Sequence, residues 1–146
     1  MDALTQAQIN SLNTQMRQNS TRIEALRQEV AALRDRLDKV AQAQVKYGRA
    51  VEGFQTDGYN ARRTASDLEA MRNVKLAQRF AESMTGLMTG PRYKSADMAV
   101  GAIGEDLKRE RTRLEREIEA KESEMRSLQS LNSSLYRQVC YLSASG

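Results

Sequence analysis

The sequence contains no histidine, and its only cysteine is Cys140. Histidine is the commonest general base at neutral pH and the commonest metal ligand, so both chemistries lose their usual agent. One cysteine cannot close an intramolecular disulfide. Beside Val139 and Leu142 it reads as a small, half-buried residue of a helix. Carboxylate pairs such as Glu115 and Glu119 recur, but they stand among arginines and lysines with nothing to bury them, as ordinary surface charge does. Gly101-Ala102-Ile103-Gly104 lacks the preceding strand and the Gly-Lys-Ser/Thr ending of a phosphate loop. No serine has a histidine to activate it, and no Cys/His set has metal-ligand spacing. The expectation is therefore a protein that is not an enzyme and uses no cofactor and no metal.

Nucleic-acid binding is a weak alternative. Arg62, Arg63, Arg72, Lys75 and Arg79 form the best basic run, with Tyr59, Phe80 and Tyr93 as the few aromatic residues near it. No known DNA or RNA module is present.

The elements that must position any binding surface are helices. Apolar residues recur at alternating spacings of three and four in two ladders. The first runs Ile9, Leu12, Met16, Asn19, Ile23, Leu26, Val30, Leu33, Leu37, Val40, Gln44, Tyr47, Val51, Phe54. The second runs Leu107, Arg111, Leu114, Ile118, Lys121, Met125, Leu128, Asn132, Leu135, Val139, Leu142. A period of 3.5 residues puts one narrow stripe on a helix, and that stripe seeks another helix. Asn19, Gln44, Arg111, Lys121 and Asn132 interrupt the ladders with polar groups. Such residues either fix register and specificity at a buried seam or sit at a solvated edge. Arg111 and Lys121 favour the edge because their long side chains can reach water. An acid facing either of them from a neighbouring helix would favour specificity instead.

Composition agrees with long exposed helices rather than a thick core. Aromatic residues are 5%, Trp is absent, charged residues are 29%, and Pro91 is the only proline. The fold class expected is all-α: an elongated helical hairpin or a thin three-helix bundle with coiled-coil ladders, in a single domain over 1–146. Its elements are a helix at 2–55, capped by Asp2 or Thr5, and a bend at 55–60 on Asp57-Gly58 and Asn60. A helix at 62–88 follows, its start marked by a capping box at Ser66. A turn at 89–94 on Gly90-Pro91 leads to a helix at 95–142 capped by Ser95 or Asp97. Leu68, Met71, Leu76, Phe80, Met84, Leu87 and Met88 give the middle helix a wide apolar face.

The N-terminal residues carry neither the basic nor the apolar region of a cleavable signal, and no apolar run nears the roughly 18 residues of a membrane span. A cytoplasmic protein without membrane insertion is expected. Net charge is +4 and uneven: residues 46–94 carry nine Lys/Arg against five Asp/Glu, and 97–126 nine acids against seven bases. The middle of the chain could meet an acidic surface.

Asn73 to Gly90, together with Ile118-Glu119-Ala120-Lys121 and Ser127 to Leu131, resembles the small helical partner proteins of LXG-domain toxins in Gram-positive type VII secretion. These are the YwqH-like relatives, in style, of the WXG family. The Trp-x-Gly turn of that wider family is absent. Tyr93-Lys94-Ser95-Ala96-Asp97 has the Tyr-x-x-x-Asp/Glu form of the family's secretion motif, which would make Tyr93 and Asp97 the motif residues. The resemblance implies a non-catalytic targeting factor or chaperone that binds the helical LXG domain of an effector, beside a second small helical protein. It would stabilise the effector and promote its export, and could leave the cell with it. The partner-binding face would be the first ladder: Ile9, Leu12, Met16, Ile23, Leu26, Val30, Leu33 and Leu37. A self-associating structural coiled coil is the alternative expectation, and a prefoldin-like or other general chaperone a third.

Overall fold

In the computed structural model, residues 2–70 and 75–145 are described. They form three helices: α1 (Ala3–Glu69), α2 (Lys75–Thr89) and α3 (Pro91–Ser145). The described residues contain no strand. The chain divides into two units, one of Met1–Asp38 with Thr112–Gly146 and one of Lys39–Arg111, and α1 and α3 each contribute to both.

The first unit is an antiparallel helix pair. Its apolar core is made of the two ladders: Ile9, Ile23, Leu26, Val30 and Leu33 of α1 with Leu114, Ile118 and Leu135 of α3. Leu26 and Leu114 are fully enclosed. Removing such a side chain typically costs about 2–5 kcal/mol, the lost transfer energy plus the cavity left behind. Leu12, Met16, Leu37, Met125, Leu128, Val139 and Leu142 are half-buried, as the margins of a two-helix seam must be. At the start of α1 the Asp2 carboxylate accepts the Thr5 N–H at 2.6 Å, the N-cap expected of it.

In the second unit α1 continues to Glu69, and α2 returns along its last turns. Ala65 and Ala81 are both buried. Gln78, Ala81, Glu82 and Thr85 line one small cavity with Glu69, and Thr85, Met88 and Thr89 line another with Arg62, Ala65, Ser66 and Glu69. The unit is thus a helical hairpin whose returning arm is α2 followed by the first turns of α3.

Three expected boundaries are corrected. The bend at 55–60 is helix: α1 passes through it without interruption. Gly58 does not turn the chain, and no glycine among the described residues has a positive φ. Each glycine costs a helix only about 1 kcal/mol, which tertiary packing on that turn outweighs. Phe54 stacks on Tyr93 with ring centroids 5.2 Å apart, and Gly58 is buried beneath the same tyrosine. Ser66 accordingly lies in the last turn of α1, its carbonyl accepting the Ala70 N–H at 3.1 Å, and starts no helix.

The turn expected at 89–94 shrinks to Gly90 alone, and α3 begins at Pro91 rather than 95. Proline is preset for the first helical position, where its missing N–H is not needed. The Gly90 carbonyl accepts the Lys94 N–H at 3.2 Å, and its own N–H reaches the Leu87 carbonyl at 3.3 Å. Two helices therefore meet at one residue. Leu68, Met71, Leu76, Phe80 and Met84 lie outside the residues whose side chains are described. Of the rest of that apolar face, Met88 is half-buried and Leu87 is 75% exposed.

A close approach in the second unit separates two kinds of glycine. A Cβ on Gly104 would lie 2.5–2.9 Å from the Tyr47 ring and hydroxyl, whereas one on Gly48 or Gly101 would meet nothing within 4 Å. Gly104→Ala is expected to lower the melting temperature despite its better helix propensity. Gly101→Ala should raise stability by about 0.5–1 kcal/mol. Urea unfolding of the two variants checks the opposite signs.

Candidate partner interface

The seam of the first unit is apolar along its middle and polar at two levels. Asn19 on α1 donates its amide to Asn132 Oδ1 on α3 at 3.0 Å. The Asn132 amide donates in turn to the Met16 carbonyl at 3.3 Å and to Ser20 Oγ at 3.2 Å. Both asparagines thus satisfy each other inside a helix pair. Farther along, Lys121 Nζ donates to Glu29 Oε2 at 2.9 Å. The acid that the ladder pattern asked of a neighbouring helix is supplied by the chain's own α1. Flanking pairs cross the same seam: Arg22 Nε to Glu124 Oε1 at 3.1 Å, and Arg34 to Glu122.

The remaining two polar ladder positions meet in the second unit, where Arg111 Nη1 donates to Gln44 Oε1 at 2.9 Å. All five polar interruptions are therefore paired between helices of one chain. Arg111, expected at a free edge, is exposed yet hydrogen-bonded across. Such pairs are worth little as exposed contacts, but each penalises a slipped register, in which one partner would face apolar side chains.

Charge follows the geometry. The Lys121 hydrogen bond holds the Glu29 carboxyl below its usual value, with partial desolvation opposing. The Thr5 N–H does the same for Asp2, and the hydrogen bond to Glu124 raises the Arg22 guanidinium. The Tyr136 hydroxyl is raised by its hydrogen bond with Cys140 one turn on. Cys140 itself is exposed rather than half-buried. Position 140 follows the ladder residue Val139, and a helix turns the next side chain about 100° away from the seam.

The first ladder, expected to face an outside partner, is covered in this structure by the second ladder of the same chain. Ile9, Ile23, Leu26, Val30 and Leu33 are buried within the chain, and Leu12, Met16 and Leu37 half-buried. The physical reason is proximity: the second ladder is tethered to the first and has the matching period, so it covers the stripe before another molecule can. What remains outside is a different set of apolar side chains. In the first unit Leu4, Leu131, Tyr136 and Tyr141 are 47–72% exposed. A groove of about 630 Å³ runs between the helices there, lined by Leu12, Tyr141 and Leu142 with Gln8, Ser11, Ser134, Arg137 and Gln138. In the second unit Val45, Tyr59, Leu87, Met98 and Ile103 are 52–75% exposed.

Tyr93 and Asp97 lie one turn apart on α3 and differ in setting. The Tyr93 ring is half-buried against Phe54 and Gly58, while Asp97 is exposed. A second tyrosine has the reciprocal role: Tyr47 of α1 lies over Gly104 and donates its hydroxyl to the Val100 carbonyl at 2.5 Å. Sequence reasoning placed Tyr47 in the ladder but missed both tyrosine–glycine contacts. Spacing on one helix carries no sign of which glycine stands opposite. Among the described residues no group of acidic, cysteine or histidine side chains could hold a metal ion. No described helix is long and apolar enough to cross a membrane.

Two outcomes follow. Asn132→Leu alone should cost about 1–2 kcal/mol, because Asn19 loses its partner at the seam. Asn19→Leu with Asn132→Leu should recover that loss but admit shifted pairings, seen as concentration-dependent association in sedimentation. Glu29 and Asp2 have depressed folded-state values, so their contribution is present above the unfolded value and is lost as pH falls through the folded one. Stability should hold from neutral pH down to about 5 and decline below the ordinary carboxylate value of 4.5. In Glu29→Gln the neutral-pH midpoint should be lower and the acid decline shallower, as read by urea midpoints across pH.

Comparison with known proteins gives no match to a family model, to a curated protein or to a solved structure.

Proposed function

We propose that this chain is a non-catalytic partner protein that docks on the helical domain of a larger protein. In its specific form, that protein is an LXG-domain effector of Gram-positive type VII secretion, and docking promotes its stability and export. One observation carries the general reading: the seam is closed within the chain, polar pairs included, yet large apolar side chains stand outside it. A helix pair with its own seam satisfied is a rigid surface, and exposed apolar anchors on a rigid surface are what a helical partner needs. The specific reading adds the resemblance over Asn73–Gly90 and the Tyr93/Asp97 spacing. The docking surface is then the outer faces rather than the stripe from Ile9 to Leu37.

Self-association is the second reading, and the groove at Leu12, Tyr141 and Leu142 favours it. The two separate by mass action. A partner protein with a closed seam melts at one temperature from micromolar to millimolar concentration and forms a 1:1 or higher complex when co-expressed with an LXG domain. A self-assembling coiled coil melts higher as concentration rises and leaves the LXG domain behind.

The motif is tested apart from the fold by Tyr93→Phe, which keeps the ring on Phe54, and by the exposed Asp97→Ala. Both should fold normally, and Asp97→Ala should reduce effector export several-fold. Unchanged export with Asp97→Ala would remove these residues from recognition.

A further inference from the structure

The helix-weakening residues of this chain are gathered in one of its two units. Seven of the eight glycines lie in Lys39–Arg111, and the eighth is the terminal Gly146. Gly58 and Gly104 are explained by the tyrosines that cover them. Gly48, Gly53 and Gly101 are not. Each is inside a helix, none has a positive φ, and a Cβ on any of them would meet nothing within 4 Å. Neither backbone conformation nor packing asks for glycine there. What glycine does at such a position is lower helix stability, because ordering it costs more conformational freedom than ordering any other residue.

Packing runs in the same direction. Over 39–61 of α1 and 91–111 of α3 no side chain is buried, and the ladder residues Val40, Val51, Phe54 and Leu107 are half-buried. In the first unit the same two helices bury Ile9, Ile23, Leu26, Val30 and Leu33 with Leu114, Ile118 and Leu135. Buried apolar area is the main term that holds helices together, so one pair of helices is held strongly over one unit and weakly over the other. Tyr47, over Gly104 with its hydroxyl on the Val100 carbonyl, and Tyr93, against Phe54 and Gly58, close the weak stretch.

We infer that Lys39–Arg111 is a clasp that opens on its own, its α1–α3 pairing lost while the first unit stays paired. Sub-global opening of this kind begins where buried apolar contact and helix propensity are both low. The first unit can outlast it. The opened segment then acts as a loop, and the cost of closing a loop grows only with the logarithm of its length. Opening uncovers Val40, Val51, Phe54 and Leu107 and leaves the seam from Ile9 to Leu33 shut. The chain thus has two levels of stability, and part of its ladders is reachable without global unfolding. This device is independent of what the chain binds.

The test is amide hydrogen exchange of the full chain, read by mass spectrometry under conditions where the rate reports the opening equilibrium. Relative to their unfolded rates, peptides from 39–57 and 93–111 should exchange about a hundredfold or more faster than peptides from 20–35 and 114–135. Ile23→Val and Leu26→Ala weaken the first unit equally in the closed and the clasp-open chain. They should therefore speed exchange of the first unit and leave that of the clasp unchanged. Ile23→Val is the milder of the two and keeps the fold if Leu26→Ala does not. Gly48→Ala/Gly53→Ala/Gly101→Ala should slow the clasp by about tenfold or more. Tyr47→Phe, which loses the hydroxyl and keeps the ring, should speed it several-fold. Equal protection in the two units, or faster exchange of both in Ile23→Val, would mean one cooperative unit and overturn the inference. A clasp unmoved by the three alanines would overturn it too, since its glycines would then not set the opening.

Discussion

The antiparallel pairing of α1 with α3 in the first unit is the constraint on which the rest depends. Neither helix has a face apolar enough to be stable alone at the scale of a ladder one side chain wide. Each ladder covers the other, and Leu26 and Leu114 are the fully enclosed points of that cover. A stripe of leucines and isoleucines slides easily by one heptad at small cost. The Asn19–Asn132 and Glu29–Lys121 contacts make sliding expensive, since any shift leaves an amide or a charge against hydrocarbon.

The second unit solves the same register problem by shape instead of polarity. Tyr47 over Gly104 and Tyr93 over Gly58 are bulky groups placed against positions with no side chain. Each fits one place along the opposite helix. The Gln44–Arg111 hydrogen bond adds a polar check. Ala65 and Ala81 then let α2 approach the end of α1 closely. Among the described residues, register in this unit comes from tyrosines set against glycines.

Closing the seam in this way frees the outer faces for association. A stripe buried inside the chain cannot recruit a partner without unfolding, so the docking proposed above falls to side chains that helix pairing leaves outside. In the second unit these include Val45, Tyr59, Leu87, Met98 and Ile103; in the first they are Leu4, Leu131 and two tyrosines beside a groove. The first unit carries equal numbers of acids and bases, whereas the second has an excess of bases.

Helical content and the apolar residues buried in the seam of the first unit were legible in the sequence. They depend on local periodicity and residue type, which one strand of text carries in full. The five polar ladder positions were legible as special, and Asp2 as a cap. Where the helices end was not. Asp57-Gly58 and Ser66 carry turn and cap signals, and packing against Tyr93 and α2 overrode them, because a glycine's cost of about 1 kcal/mol is smaller than that of unpacking a stacked aromatic pair. Which ladder covers which was also beyond the sequence. A heptad stripe states that a helix needs a partner and says nothing of whether that partner is another molecule or the same chain returning. Only the fold decided it, because α3 carries a ladder of the same period and is tethered to α1, whereas any outside helix would have to be gathered from solution.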